Sequence, residues 1–327
     1  MNYVATLLAG LSLLTSSAFA QSDTTEPAKP VLNVVTTTGM VKDMVVNIGG
    51  DRVAVEAIMK EGVDPHLYQP TAADVRKVLA ADLVFANGLN LEGRMTDAFE
   101  RSQAMGKKVV LVTDAIQQDV FIESADYPGE PDPHVWHDVT LWSTGIPVVV
   151  EALSKADPEG ASHYEAHGAR YADRLNGLNG YVTWVMSRVP VNQRVLITAH
   201  DAFGYFGQAY GIEVRGVQGI STESEAGIAD INELVDFIVD NGITAVFIES
   251  SVNDRNVRAL IEGAKERGQD VAIGGTLYSD CMGAPGTWEG TYEGMIEHNV
   301  NLMSVALGGS VPEGGSRGAN SLANEGS

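Results

Sequence analysis

Three histidines and one aspartate lie in loops that follow short apolar segments of the chain. They are His66 in GVDPH, His134 in PDPHVW, His200 at the end of VLITAH, and Asp280 in YSD. Imidazole nitrogens suit zinc, copper, nickel and iron, and a carboxylate adds negative charge that compensates part of the charge of a divalent ion. We therefore predict that these four side chains bind one divalent transition-metal ion.

The position of these residues along the chain supports a shared site. Ligands of open parallel sheets bind at the carboxyl ends of the strands, and each of the four residues follows or closes a predicted strand. Two ligands from each half of the chain would place the ion in a cleft between two domains. The alternatives are a surface histidine in a Gly/Pro loop for His66 and His134 and a core histidine for His200.

Three further side chains are candidates for a supporting role. Glu249 ends a predicted strand and could accept a hydrogen bond from a ligating imidazole, or form a structural ion pair instead. Cys281 could offer a thiolate, although a buried apolar role is the usual one for a lone cysteine. His137 is out of register with its neighbours and is interpreted as an outer contact of the site or a surface residue.

The remaining histidines are predicted to lie outside the site. His163 and His167 have the i, i+4 spacing that can bind a metal on a helix. They are distant from the strand ends in the predicted topology, so we interpret them as solvated. His298 falls in the last predicted helix.

The elements that must position these residues alternate between β-branched runs and helical patterns, which is typical of parallel α/β units. The predicted strands are residues 31–37, 52–59, 82–87, 108–113, 194–200, 212–219, 244–250 and 270–276. Val34 and Leu196, Val84 and Val246, and Val109 and Val271 are each 162 positions apart. This offset indicates either one module used twice or two independent domains of similar length.

The predicted fold class is α/β, with two Rossmann-like lobes that each contain a four-stranded mainly parallel sheet and are joined by one long backbone helix. Gly168, Gly177 and Gly180 would weaken that helix, and a break near residues 176–180 is one possibility. The predicted divisions are a signal peptide at 1–20, a disordered tail at 21–30, a lobe at 31–156, the helix at 157–190, a lobe at 191–308 and a disordered tail at 309–327.

The first 20 residues carry an apolar run that ends in Ala18-Phe19-Ala20, which predicts export with cleavage near Ala20. No cysteine follows to accept a lipid, so we expect a soluble periplasmic protein.

A disulfide framework is excluded because Cys281 is the only cysteine. A net charge of −22 argues against nucleic-acid binding.

Several segments together resemble the cluster A-I solute-binding proteins of zinc and manganese ABC importers, of the TroA type. The segments are GVDPHLYQPTAADVRKVLAADLVFANGLNLEGRM, DPHVWHD, VLITAHDAFGYFGQAYG, FIESSVNDRNV and GGTLYSD. The resemblance implies that His66, His134, His200 and Asp280 bind Zn²⁺ or Mn²⁺ as cargo. It also implies a membrane permease and a cytoplasmic ATPase as partners, and we expect a monomer.

The resemblance leaves the choice of ion open. Manganese-specific members usually carry Glu where His200 stands, whereas zinc-dedicated members often carry a His-rich loop where Glu123–Pro133 contains no histidine. Because histidine ligands must be neutral, we expect affinity to fall below about pH 6.5 for either ion.

Two other functions agree less well with the sequence. A secreted zinc-dependent hydrolase would keep an open coordination position, but a fourth ligand closes the site and no H-E-x-x-H segment is present. We therefore expect no enzymatic activity. A surface adhesin is disfavoured because no lipid-acceptor cysteine follows the signal peptide.

Overall fold

The computed structural model of the chain describes residues 32–124 and 129–316. The predicted signal peptide, the tail at 21–30 and the end of the C-terminal tail from residue 317 lie outside the described residues. None of the helices in the described part has the length and apolar character needed to cross a membrane.

The first lobe is built on a four-stranded parallel sheet with strand order β2-β1-β3-β4. Strands β1 and β3 are central and carry runs of Val, Leu and Phe, because a strand covered on both faces needs apolar side chains on both. The strands are β1 (Leu32–Thr36), β2 (Val53–Ala57), β3 (Leu83–Ala86) and β4 (Lys108–Leu111).

The second lobe also contains four strands, which form two parallel pairs. Its strands are β5 (Val195–His200), β6 (Glu213–Gln218), β7 (Ala245–Glu249) and β8 (Ala272–Leu277). Parallel ladders join β5 to β6 and β7 to β8, and β5 lies beside β7. The predicted four strands are therefore present, but within the described residues no ladder joins the two pairs. At their common end the N–H of His200 donates to the Glu249 carboxylate at 2.9 Å.

Ten α-helices surround these strands in the described ranges. They are α1 (Gly39–Gly49), α2 (Ala72–Ala80), α3 (Thr96–Ala104), α4 (Val139–Ser143), α5 (Gly145–Ala156), α6 (Ala161–Ser187), α7 (Gly204–Tyr210), α8 (Ile228–Asn241), α9 (Arg255–Glu266) and α10 (Tyr292–Ala306).

Helix α6 connects the lobes without interruption over 27 residues, a length of about 40 Å. The helix is also continuous through residues 176–180, where a break was one possibility, and packing explains part of this. A Cβ on Gly168 would approach Val150 of α5 to 2.7 Å, so glycine is the residue that permits this close contact. Gly177 and Gly180 meet no atoms within 4 Å and are tolerated at the surface of the helix. Buried Tyr171 and Leu175 hold α6 in place.

One apolar cluster extends through both lobes. It includes Val34 and Phe85 from the first sheet, Val182 from α6, and Leu196 and Phe247 from the second lobe. Since this cluster is continuous across α6, separating the lobes widely would expose apolar surface at roughly 25 cal/mol per Å². The packing favours small relative movements of the lobes.

The pair His163 and His167 is half-buried and bonded to backbone carbonyls and not fully solvated, which corrects the prediction for both residues. His163 Nε2 lies 3.1 Å from the carbonyl oxygen of Gly49, and His167 Nδ1 lies 3.3 Å from that of Asn47. Their rings stack with centroids 3.9 Å apart. The last carbonyls of a helix have no partner within the helix, and here two imidazoles of α6 supply donors for α1.

Residues 309–316 depart from the predicted disordered tail. Gly309 N–H donates to the Ser304 carbonyl at 2.7 Å, and Ser316 Oγ donates to Glu297 Oε2 at 2.5 Å. Val311 packs against the apolar cluster. This segment therefore folds back along α10, because a buried carboxylate and an apolar contact hold it there.

Candidate metal centre

The structure brings the four predicted ligands together at the strand ends between the lobes. His66 follows β2, His134 follows β4, His200 is the last residue of β5, and Asp280 follows β8. One ligand atom from each side chain lies within 4.8 Å of the others. These four residues form the only group of three or more potential ligands found in the described ranges.

Asp280 lies at the centre of the cluster. Its Oδ1 is 3.3 Å from His134 Nε2, and its Oδ2 is 3.3 Å from His200 Nε2 and 3.9 Å from His66 Nε2. His66 Nε2 and His134 Nε2 are 3.1 Å apart. All three imidazoles thus direct their Nε2 atoms toward one carboxylate.

The cluster is almost closed to solvent. Relative exposure is 0% for His134 and His200, 2% for Asp280 and 8% for His66. His200 Nε2 and both carboxylate oxygens of Asp280 have no hydrogen bond of good geometry. Buried polar atoms without hydrogen bonds cost free energy. A cation bound among these atoms would offset that cost.

Each of the two first-lobe ligands is held by the same local turn. In Asp64-Pro65-His66, the Asp64 Oδ1 accepts the backbone N–H of His66 at 2.8 Å. In Asp132-Pro133-His134, the Asp132 Oδ1 accepts the backbone N–H of His134 at 2.9 Å. Neither aspartate was predicted to take part in the site. The repeated Asp-Pro-His sequence could have indicated these bonds, because Asp side chains commonly bond to backbone groups two residues further along the chain.

Carboxylates also hold the far side of two of the imidazoles. Asp132 Oδ1 is 2.7 Å from His134 Nδ1, and Glu249 Oε2 is 2.5 Å from His200 Nδ1. A carboxylate at Nδ1 fixes the proton there and leaves Nε2 for an ion. Glu249 thus lies where the sequence suggested a hydrogen bond to a ligating imidazole, and Asp132 has the equivalent position in the first lobe.

These carboxylates change the charge of the imidazoles. Burial lowers the pKa of His134, but Asp132 and Asp280 outweigh it and raise that pKa to about 9. Burial likewise opposes the cation of His200, yet Glu249 and Asp280 raise the pKa of His200 well above its ordinary value. Burial would raise the pKa of Asp280, whereas His200 and His134 hold it well below its usual range.

His66 differs from the other two imidazoles. Burial lowers its pKa to about 3, and the neighbouring His134 and His200 oppose its charge further. The directions of these pKa shifts favour a neutral His66, an ionised Asp280 and protonated imidazoles at His134 and His200 in the metal-free cluster at neutral pH.

The other candidates do not enter the ligand group. His137 is 1% exposed and packs on Phe203 with ring centroids 4.2 Å apart, so it is buried and not a surface residue. Cys281 Sγ accepts the N–H of Gly62 at 3.3 Å, and burial raises the pKa of its thiol. His298 is half-buried at α10, and its Nε2 lies 3.0 Å from the Thr276 carbonyl oxygen.

A cleft of about 350 Å³ reaches His66 from the surface. Two side-chain contacts between the lobes stand near it. Arg94 and Glu223 line the cleft and form an ion pair at 2.6 Å, and Thr222 Oγ1 donates to Asp64 Oδ2 at 2.5 Å. This cleft forms a mouth on the His66 side of the site, and contacts between the lobes border it.

Fold and site together define a two-lobed α/β protein with a buried cluster of three histidines and one aspartate that is able to hold a metal ion. Residues 34–306 match the family described as zinc-uptake complex component A, periplasmic (ZnuA). The chain belongs to this family. The resemblance drawn from the sequence is confirmed.

Two curated relatives are similar over most of their length. The manganese-binding lipoprotein MntA of Bacillus subtilis (strain 168) is 43% identical over 277 residues, covering 84% of this chain and 90% of the relative. The zinc-binding protein TroA of Treponema pallidum (strain Nichols) is 44% identical over 301 residues, covering 91% of this chain and 96% of the relative.

The solved structure of the periplasmic zinc-binding protein TroA from Treponema pallidum has the same fold. It superposes with a TM-score of 0.82 at 44% identity, covering 84% of this chain and 99% of TroA. The predicted fold class of two lobes joined by a long helix is confirmed.

Proposed function

We propose that this protein captures one divalent transition-metal ion in the periplasm and delivers it to an ABC importer. His66, His134, His200 and Asp280 are the proposed ligands, with Asp132 and Glu249 holding two of the imidazoles. The observation that carries the proposal is the buried Asp280 carboxylate, which faces three Nε2 atoms without a hydrogen bond of good geometry. Family membership and the printed functions of MntA and TroA support it.

The donor set favours zinc in a competition at equilibrium, since a given nitrogen and oxygen site binds zinc more tightly than manganese. The relatives divide on this point, because one is described as manganese-binding and the other as zinc-binding. Both oxygens of Asp280 face the imidazoles, which would allow a fifth bond to a larger ion. We propose tight binding of zinc, with manganese as a second cargo.

The proposed partners are a membrane permease and its cytoplasmic ATPase. The chain would be exported by the segment 1–20, cleaved near Ala20 and released as a soluble monomer, with the lobes at 31–156 and 191–308 connected by the helix segment 157–190. The description of the family as periplasmic supports this location. Cleavage can be tested by determining the N-terminal residue of the secreted protein.

We propose that the protein is not an enzyme. Four side chains converge on the site, whereas a catalytic zinc keeps one coordination position for water or substrate. The nearby carboxylates Asp132 and Glu249 are each bonded to an imidazole, so neither is free to act as a general base.

The test is the stoichiometry and affinity of zinc binding, measured by chelator competition and elemental analysis. We expect one ion per chain in the unsubstituted protein and the loss of tight binding in both Asp280→Ala and His200→Ala. His298→Ala is the control, because it removes an imidazole outside the cluster. Retention of tight binding by Asp280→Ala, or the appearance of hydrolytic activity in it, would overturn the proposal. Elemental analysis of protein isolated from its own periplasm would identify the physiological cargo.

A further inference from the structure

The segment that carries His134 belongs to the first lobe in sequence but is bonded to the second lobe. Tyr205 OH of α7 donates to the Asp132 carbonyl at 2.8 Å. Val139 N–H donates to Tyr210 OH, also of α7, at 3.3 Å. The two ends of the segment 132–139 are therefore attached to the same helix of the second lobe.

Trp136 connects the middle of this segment to the second lobe. Its indole Nε1–H donates to the Ser279 carbonyl at 2.8 Å, and its own carbonyl accepts the Tyr292 hydroxyl at 2.7 Å. The side chain is fully buried, and its ring lies edge-on to His134 with centroids 5.2 Å apart. Trp136 thus contacts one proposed ligand through its ring and the loop of another through its N–H.

The acceptor of this hydrogen bond directly precedes Asp280. The same loop is fixed on its other side by Asn299, whose Nδ2 donates to the Tyr278 carbonyl at 2.7 Å and whose Oδ1 accepts the Tyr278 N–H at 2.9 Å. A displacement of the Ser279 carbonyl would therefore change the direction of the Asp280 carboxylate. The separation of 3.3 Å between His134 Nε2 and Asp280 Oδ1 depends on both loops.

We propose that Trp136 is a positioning residue that fixes the His134 loop against the Asp280 loop, so that these two ligands from different lobes keep one geometry. This inference rests on the proposed function of the cluster as a metal site. Small movements of the lobes would then leave His134 and Asp280 together, and a bound ion would keep both bonds. A tryptophan that only filled the core would have no such effect on the ion.

Trp142 provides a matched comparison within the same protein. It is 2% exposed and packs near Tyr292, with ring centroids 5.9 Å apart. Its Nε1 has no hydrogen-bond partner, in contrast to that of Trp136. Replacing either tryptophan by phenylalanine removes similar buried volume, but only Trp136→Phe removes a hydrogen bond between the loops of two ligands.

The experiment uses the full secreted chain with Trp136→Phe, Trp142→Phe and Tyr292→Phe. Zinc affinity is measured by chelator competition, and the visible absorption of the Co²⁺-loaded protein reports the coordination geometry. We expect Trp136→Phe to weaken zinc binding about ten-fold, equivalent to about 1.4 kcal/mol, and to shift the Co²⁺ spectrum. Tyr292→Phe should give a smaller change in the same direction, and Trp142→Phe should match the unsubstituted protein in both measurements.

The outcomes separate this inference from the proposed function. If the unsubstituted protein binds zinc and Co²⁺ but Trp136→Phe leaves affinity and spectrum unchanged, the positioning role is overturned while the metal site stands. Equal losses in Trp136→Phe and Trp142→Phe would also overturn it, because they would reflect general core packing. If the unsubstituted protein binds neither ion, the proposed function fails and the inference fails with it. Thermal unfolding of the metal-free variants checks that each one folds.

Discussion

Glu249 holds His200 from the side opposite the ion site. One oxygen of the carboxylate lies 2.5 Å from His200 Nδ1 and the other accepts the His200 backbone N–H at 2.9 Å. The ring and the backbone of the same residue are therefore fixed by one side chain. Both residues end strands that lie side by side, β5 and β7, so the packing of these two strands sets the distance between them.

Replacing Glu249 by glutamine tests this arrangement. The amide retains the shape of the side chain but removes its charge. The His200 ring is then less firmly oriented, and its Nε2 donates electron density to an ion less strongly. Loss of such an outer partner typically weakens metal binding about 10- to 100-fold. We expect a zinc affinity in this range below that of the unsubstituted protein, measured by chelator competition.

The control for this substitution is Glu297→Gln. Glu297 is also buried, but it bonds to Trp288 Nε1 at 3.1 Å and to Ser316, away from the cluster. Its substitution should alter thermal stability without altering zinc affinity. Equal zinc affinities in Glu249→Gln and the unsubstituted protein would show that the contact of Glu249 with His200 is structural only.

Metal binding should release protons at neutral pH. The pKa of His134 is raised to about 9 by the Asp132 and Asp280 carboxylates, against the effect of burial, and the pKa of His200 is raised well above its usual value. Both imidazoles must lose their Nε2 proton to bind an ion. We expect about two protons released per zinc at pH 7.5, measured by calorimetry in buffers of different ionisation enthalpy.

The pH dependence follows with a defined sign. Affinity should increase as pH rises from 6.5 toward 9, a window higher than the unperturbed histidine pKa of about 6.5 suggests. For the metal-free protein, protonated His134 stabilises the fold below about pH 6.5, and this contribution is lost as pH rises through about 9. An affinity that is flat above pH 7 would contradict the assignment of these charges.

The ion pair between Arg94 and Glu223 should slow the release of the ion. It joins the lobes beside the mouth of the site, but the two side chains are 38% and 43% exposed. Exposed pairs contribute about 0.2–1 kcal/mol, so we expect Glu223→Gln to accelerate release by at most about five-fold. Stopped-flow transfer of zinc to a chelator measures this rate, and high salt should reduce the difference.

A second exposed pair serves as the matched control for the release rate. Arg215 and Glu213 lie 2.7 Å apart with side-chain exposures of 42% and 50%, and both belong to β6. Glu213→Gln should leave the rate unchanged because it breaks no contact between lobes. If it accelerates release as much as Glu223→Gln, the effect arises from net charge and not from the contact at the mouth.

His163 and His167 should contribute to stability but not to metal binding. Each bonds to a terminal carbonyl of α1, and a typical net hydrogen bond contributes about 1 kcal/mol. We expect alanine at both positions to lower the free energy of unfolding by about 2 kcal/mol in urea denaturation, with one zinc still bound per chain. Glutamine at both positions retains a hydrogen-bond donor and should lower the free energy of unfolding by less than alanine does.

The acid dependence of His167 has the opposite sign from that of His134. Burial lowers the pKa of His167, and the neighbouring His163 adds to the effect. The neutral form of His167 is thus favoured in the folded protein. The contribution of His167 to stability is present above the ordinary histidine pKa and is lost as pH falls. The double alanine variant should show less destabilisation in mild acid than the unsubstituted protein does.

The sequence predicted the positions of the strand ends better than the contacts between loops. Strand ends are readable because apolar β-branched runs stop where polar residues begin, so His66 and Asp280 could be placed at one edge. The bond of Trp136 to the Ser279 carbonyl could not be predicted, because it joins residues 143 positions apart through a backbone acceptor that has no sequence signature. Likewise Gly168 suggested a weak helix, whereas tertiary packing on Val150 explains it.

The loaded and empty forms should have nearly the same net charge at neutral pH. A divalent cation that replaces one proton on His134 and one on His200 enters and leaves without altering the net charge of the protein at neutral pH. Loaded and empty molecules should therefore migrate together in native electrophoresis. A membrane partner that accepts only the loaded form would then rely mainly on a difference in shape, because the net charge of the two forms is nearly equal.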